Sequence, residues 1–179
     1  MKAMNLERKN FGFLNVFYVE DNPVMGIDNR GDILCKNYVL SWNVGVPSPV
    51  SIRGVPIGFS GEYGFGVLFC KICKKYKCYS YEFACAGGGL GLPASGTTNF
   101  EWGWWRGGSV SDFSGFGGQI SGNASLLVGG SISGIGSLSG GYGETSGISG
   151  GIAGGVSLFF CWVWNLKEVD CNKTPIISE

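Results

Sequence analysis

From Phe116 to Tyr142 the chain reads FGGQISGNASLLVGGSISGIGSLSGGY, without a single charged residue. Even positions are apolar or bare, among them Ile120, Leu126, Val128, Ile132 and Leu138. Odd positions are mostly Gly, Ser, Gln and Asn, with Leu127 and Ile135 as exceptions. A period of two places these sets on opposite faces of a strand. The same parity resumes after Glu144 through Ile148, Ile152, Val156, Leu158, Phe160, Trp162, Trp164 and Leu166. The fold must therefore supply β structure with one greasy face and one face of small hydroxyls and amides.

Thirty-three of the 179 residues are Gly. That is more than double the usual ~7%, and each Gly inside a helix costs about 1 kcal/mol relative to Ala. Turn residues then divide the chain into alternating runs: 11–19, 33–46, 57–72, 76–86, 100–104, 112–128, 131–143 and 147–167. About eight strands with short links predict an all-β fold, an antiparallel glycine-rich meander forming a small barrel or sandwich. One competitor is a helix over Thr145–Leu166. It is long enough to cross a bilayer and has Gly147, Gly151 and Gly155 at helix-packing spacing. The sustained period of two favours the strand.

The alternation leaves two orientations open. In a soluble barrel the apolar face fills the core. In a membrane barrel it meets lipid, and Ser, Asn and Gly line the interior. Soluble proteins usually carry Lys and Glu on the outer face, whereas Gly107–Leu166 contains only Asp112 and Glu144. Trp102, Trp104, Trp105, Trp162 and Trp164 lie near strand ends, as an interfacial aromatic belt would require.

Composition narrows the chemistry. There is no histidine, which excludes a Ser-His-Asp triad, a Cys-His dyad and a His-ligated metal. Net charge is zero, so no nucleic-acid surface is expected. Glu62, Glu82, Glu101, Asp112 and Glu144 sit singly on different segments, and pairing about Lys74 leaves Glu62 and Glu82 out of register. No acid/base pair emerges, Gly87–Gly89 lacks the Lys of a phosphate loop, and no enzyme, cofactor or metal site is expected. Cysteines at 70, 73, 78 and 85 contain only one Cys-x2-Cys. They read as unbonded structural cysteines or as a cross-strand disulfide, with Cys70 opposite Cys78 if the hairpin centres on Lys74. Cys161 and Cys171 are a second candidate pair. Lys71, Lys74, Lys75 and Lys77 form a basic hairpin tip, either solvated or in contact with anionic headgroups. The N-terminus lacks the apolar run of a secretory signal.

Residues 18–31, YVEDNPVMGIDNRG, resemble the motif that closes the core of bacterial RHS-repeat (polymorphic toxin) proteins, just before their variable C-terminal domain. Tyr18, Val19, Asn22, Pro23, Val24, Asp28 and Gly31 carry the match, and Leu14–Phe17 resembles the approaching strand. Asn29 stands in place of the family's Pro, at the point associated there with self-cleavage. The resemblance implies a core remnant at 1–31 and a variable β domain at 32–179. It further implies delivery on a parent polypeptide or secretion apparatus to a target-cell membrane, with a cognate immunity protein as partner. The resulting expectation is a non-enzymatic, membrane-active effector acting by insertion or pore formation, as an oligomer where a pore is formed. The alternative is a soluble glycine-rich binding or structural module of the same secretion system.

Overall fold

The computed structural model describes residues 32–72 and 75–171. The core-end motif Tyr18, Asn22, Pro23, Asp28 and Gly31 lies outside the described residues, as do Cys73 and Lys74. Five strands make up nearly all of the rest: β1 (Ile33–Ile52), β2 (Val55–Ile72), β3 (Lys75–Gly107), β4 (Gly115–Ser137) and β5 (Tyr142–Val169). A short 3₁₀ turn, Val110–Phe113, separates β3 from β4. The fold is all-β and antiparallel, as the alternation predicts.

The strands are fewer and longer than expected, because three of them double back without losing their pairing. β1 is antiparallel to β2, β2 to the first half of β3, and the second half of β3 again to β1. These relations require β3 to reverse direction between Leu90 and Gly96. β5 follows β3 antiparallel from Tyr142 to Val169 and so reverses with it, with one register shift between Leu92 and Gly96. β4 follows β5 through the same bend. The runs expected at 76–86 and 100–104 are thus the two limbs of one strand. Eight antiparallel passes surround a single interior. β1 and β2 close one side, and the limbs of β4 meet on the other, where Leu138 N–H donates to the Phe116 carbonyl at 3.1 Å.

The doubled strands need glycine at the bend. Gly91 has φ +118° and Gly155 has φ +159°, and each packs against the opposing strand so closely that a Cβ would strike the carbonyl of Gly154 or Leu90. An L side chain is disfavoured there both by conformation and by space. β3, β5 and β4 pass over this end of the barrel as continuous sheet. At the other end Phe113 inserts against Tyr81 (centroids 4.5 Å apart) and Trp105 (5.4 Å), beside buried Leu68 and Phe159. The turn bearing Phe113 is held by Asp112, which accepts from Ser109 N–H at 2.8 Å and Ser109 Oγ at 2.9 Å.

Three disulfides stitch the passes together: Cys35–Cys70, Cys78–Cys171 and Cys85–Cys161. The reading of unbonded structural cysteines and the expected Cys70–Cys78 and Cys161–Cys171 pairings are therefore corrected. The β2–β3 hairpin is centred half a residue before Lys74, which shifts the register by one, so Cys70 faces Lys77 and Cys78 faces Phe69. Cys35 is directly opposite Cys70 on the other flank of β2, and Cys85 directly opposite Cys161. Peptide mapping of the oxidised, alkylated protein should recover these three links and none between Cys70 and Cys78. Gly91→Ala should cost about 1–3 kcal/mol from its positive φ, and more through the clash. Gly134→Ala, in open space, should leave the denaturation midpoint almost unchanged.

Candidate functional site: an apolar exterior around a polar interior

The alternation of the chain becomes a segregation between the inside and outside of the barrel. On β4 and β5 the even residues Ile120, Leu126, Ile132, Ile148, Ile152, Val156, Leu158 and Phe160 point outward and are exposed, Leu126 at 79%. The odd residues Gln119, Ser121, Ser125, Ser131, Ser133, Thr145 and Ser149 point inward and are buried, Ser133 at 2% and Ser149 at 0%. β1 and β2 repeat the pattern, with Trp42, Val44, Val46, Phe59 and Tyr63 outside and Asn37, Ser41, Asn43 and Glu62 inside. Large apolar groups are more often withdrawn from water.

The exterior is also graded along the barrel. The bend end presents Val50, Ile52, Val55, Leu90, Leu126, Leu127 and Val128, all exposed. Arg53, in the β1–β2 turn, is its one charge among the described residues. Aromatic rings follow toward the other end, where Trp42 stacks on Tyr63 (6.5 Å), Phe100 lies against Trp102 (6.0 Å) and Phe116 against Trp162 (4.1 Å). Glu82 sits in this zone as the acceptor of the Trp164 indole N–H at 3.0 Å. Most of the remaining outward charges, including Lys36, Lys71, Lys75, Lys77, Glu144 and Lys167, lie at the disulfide-stitched end.

Of the expected lipid-contact lysines, Lys71, Lys75 and Lys77 therefore sit at the end away from the apolar tip, and Lys74 lies outside the described residues. Lys71 rests over the Tyr76 ring at 5.9 Å. Lys77 forms a 2.9 Å ion pair with Glu168, whose hydrogen bond and charge hold its ammonium above the ordinary lysine pKa. Arg106 pairs with Asp32 at 2.9 Å.

Two of the five carboxylates that sequence reasoning treated as isolated come together inside. Glu62 and Glu82 are indeed out of register, facing Cys85 and Phe65 respectively. But Glu62 (6% exposed) and Glu101 (4%) share the interior and interact electrostatically. Gln119 Nε2 donates to Glu62 at 3.1 Å and to Ser133 Oγ at 3.4 Å, and Ser133 Oγ donates to Glu101 at 3.4 Å. Thr145 Oγ1 donates to the other oxygen of Glu101 at 2.5 Å. The signal for this pair was parity, because both glutamates fall on the face that otherwise carries Gly, Ser and Asn.

A cavity of about 20 Å³ beside this network is lined in part by Asn43, Ser60, Asn123 and Ser157, which is room for one water. No cluster of three or more metal-ligating His, Cys, Asp or Glu occurs among the described residues. No helix there is long and apolar enough to cross a membrane, and 145–166 is strand within β5. In comparisons with protein-family models, curated proteins and solved structures, nothing matches this chain.

The geometry gives opposite outcomes for two carboxylate insertions. Leu126→Asp, on the exterior, should fold with an unchanged melting temperature in buffer and aggregate less. Ser133→Asp places a third carboxylate against Glu101 in the interior and should be destabilised by about 2 kcal/mol or more. Melting curves of the two variants beside the wild type provide the measurement.

Proposed function

We propose that this chain is a membrane-inserting β-barrel, a non-enzymatic effector of the RHS-associated type suggested by residues 18–31. One observation carries the reading: the apolar positions of β1, β2, β4 and β5 face outward around an interior of Ser, Asn, Gln and Glu. Lipid is the solvent that makes such an exterior favourable, since it removes apolar area from water at about 25 cal/mol per Å². A bilayer also requires every backbone group to be paired within the chain, and a closed barrel satisfies that requirement. The grading from apolar tip through aromatic band to charged end matches hydrocarbon, interface and water in order.

In this placement the bend end enters the bilayer first and the disulfide-stitched end stays at the surface. Lys71, Lys75 and Lys77 then lie at headgroup level. Barrels of about eight strands are filled by their own side chains, and Phe113 plugs one end here. A single barrel therefore inserts without conducting, and leakage requires several barrels or disruption of the surrounding lipid. Three disulfides suit an oxidising location outside the cytoplasm, consistent with secretion toward a target cell. An immunity protein would act by covering the apolar tip. The soluble-module alternative needs a protein partner over the same exterior.

Liposome flotation tests the proposal. Wild-type protein should float with the vesicles and resist extraction by high salt and carbonate. The double variant Leu126→Asp/Leu127→Asp should lose most of that binding, because two carboxylates in the apolar band are costly, each by somewhat less than the about 2–4 kcal/mol of a Lys or Arg at the midplane. A wild type that is monomeric and cooperative in plain buffer and never floats would overturn it.

A further inference from the structure

The barrel interior contains two carboxylates and no buried Lys or Arg among the described residues. Glu62 and Glu101 face each other across the Gln119–Ser133 bridge, and no cation accompanies them. A second, independent observation surrounds the pair. Asn43 (3% exposed) is the direct cross-strand partner of Glu62, and its side-chain oxygen has no hydrogen-bond donor. Asn99 (2%) precedes Glu101 by two residues on the same inward face, and its oxygen is likewise unpartnered. The Oγ atoms of Thr97, Ser131 and Ser149 are buried and unpartnered as well. Ser149 lies directly opposite Asn99 and Ser131 directly opposite Gly147, itself the partner of Glu101.

Buried polar atoms are rarely left without partners, and here the unpartnered ones include two amide oxygens on the register positions of two uncompensated carboxylates. We infer that the polar interior holds one hard divalent cation of the calcium class, bound by Glu62 and Glu101 with the Asn43 and Asn99 side-chain oxygens. The donors are all oxygen, and two carboxylates with neutral carbonyl and hydroxyl oxygens are the ligand chemistry calcium takes. Two negative charges match a divalent ion, which would leave the interior neutral. The Gln119, Ser133 and Thr145 hydrogen bonds would orient the carboxylates as they orient liganding groups elsewhere. With Glu62, Glu101, Asn43 and Asn99 all buried, the ion exchanges slowly with solvent. The inference does not depend on the membrane placement, since it concerns only the interior.

The experiment refolds the full oxidised chain in detergent at mildly alkaline pH, with either calcium chloride or EDTA. Wild-type protein refolded with calcium should melt several degrees higher and should retain one calcium per chain through gel filtration in metal-free buffer. The double variant Glu62→Gln/Glu101→Gln should show no calcium-dependent shift and should melt at least as high as wild type in EDTA, because it removes the uncompensated charge. Should that variant fail to fold, the calcium content of the wild type decides alone. An identical wild-type melting temperature in both buffers, absence of retained calcium, or a calcium shift that persists in a folded double variant would each overturn the inference.

Discussion

Everything else in this protein depends on a closed ring of backbone pairing. β1 and β2 bridge the two limbs of β3, β5 lines both limbs of β3, and β4 lines both limbs of β5 and then meets itself. With no free edge over most of its length, the barrel need not protect itself against edge pairing with Lys or Pro. That frees the exterior to be almost uncharged over most of its height. The same closure lets three long strands fold through the bend as sheet, so the apolar tip presents side chains and not bare peptide groups.

The ring also explains the glycine content and the polar interior together. Passes packed this closely leave little room inside, so inward positions are Gly, Ser or short amides wherever strands approach most tightly. Gly103, Gly143 and Gly147 are such places, where a Cβ would meet the backbone of the neighbouring strand. Larger inward side chains are concentrated toward the stitched end, where Trp105, Phe113, Phe159 and Tyr81 form a buried plug tied by Cys85–Cys161 and Cys35–Cys70. One end is thus built like an ordinary core, and the other is lined by small hydroxyls, amides and two carboxylates.

Much of this was legible in the chain, for a definite physical reason. Period-two alternation survives any change in strand count, so all-β architecture and the two faces of 116–142 and 148–166 could be read directly. The doubling back of β3 was not legible, because Gly91 and Gly96 look like loop glycines unless the long-range register is known. The disulfides failed for a related reason: a hairpin centre displaced by half a residue moves the partner of Cys70 from Cys78 to Lys77. The pairing of Glu62 with Glu101 depends on β2 and β3 lying across one interior, which local spacing does not encode. The direction of the apolar face was the remaining choice, and the exposed Leu126 and Ile132 against the buried Ser125 and Ser133 give it.

The central claim is that this outward face is lipid-facing, and adjacent residues on one strand test it most directly. Nitroxide labels placed singly at Ile132 and Ser133, in a Cys73→Ser background that keeps the three disulfides, should be compared in liposomes. The account predicts that a label at Ile132 collides freely with dissolved oxygen, which partitions into lipid, and little with a water-soluble nickel chelate. A label at Ser133 should be shielded from both. Equal accessibility of both positions to the water-soluble reagent, with vesicles present, would contradict it.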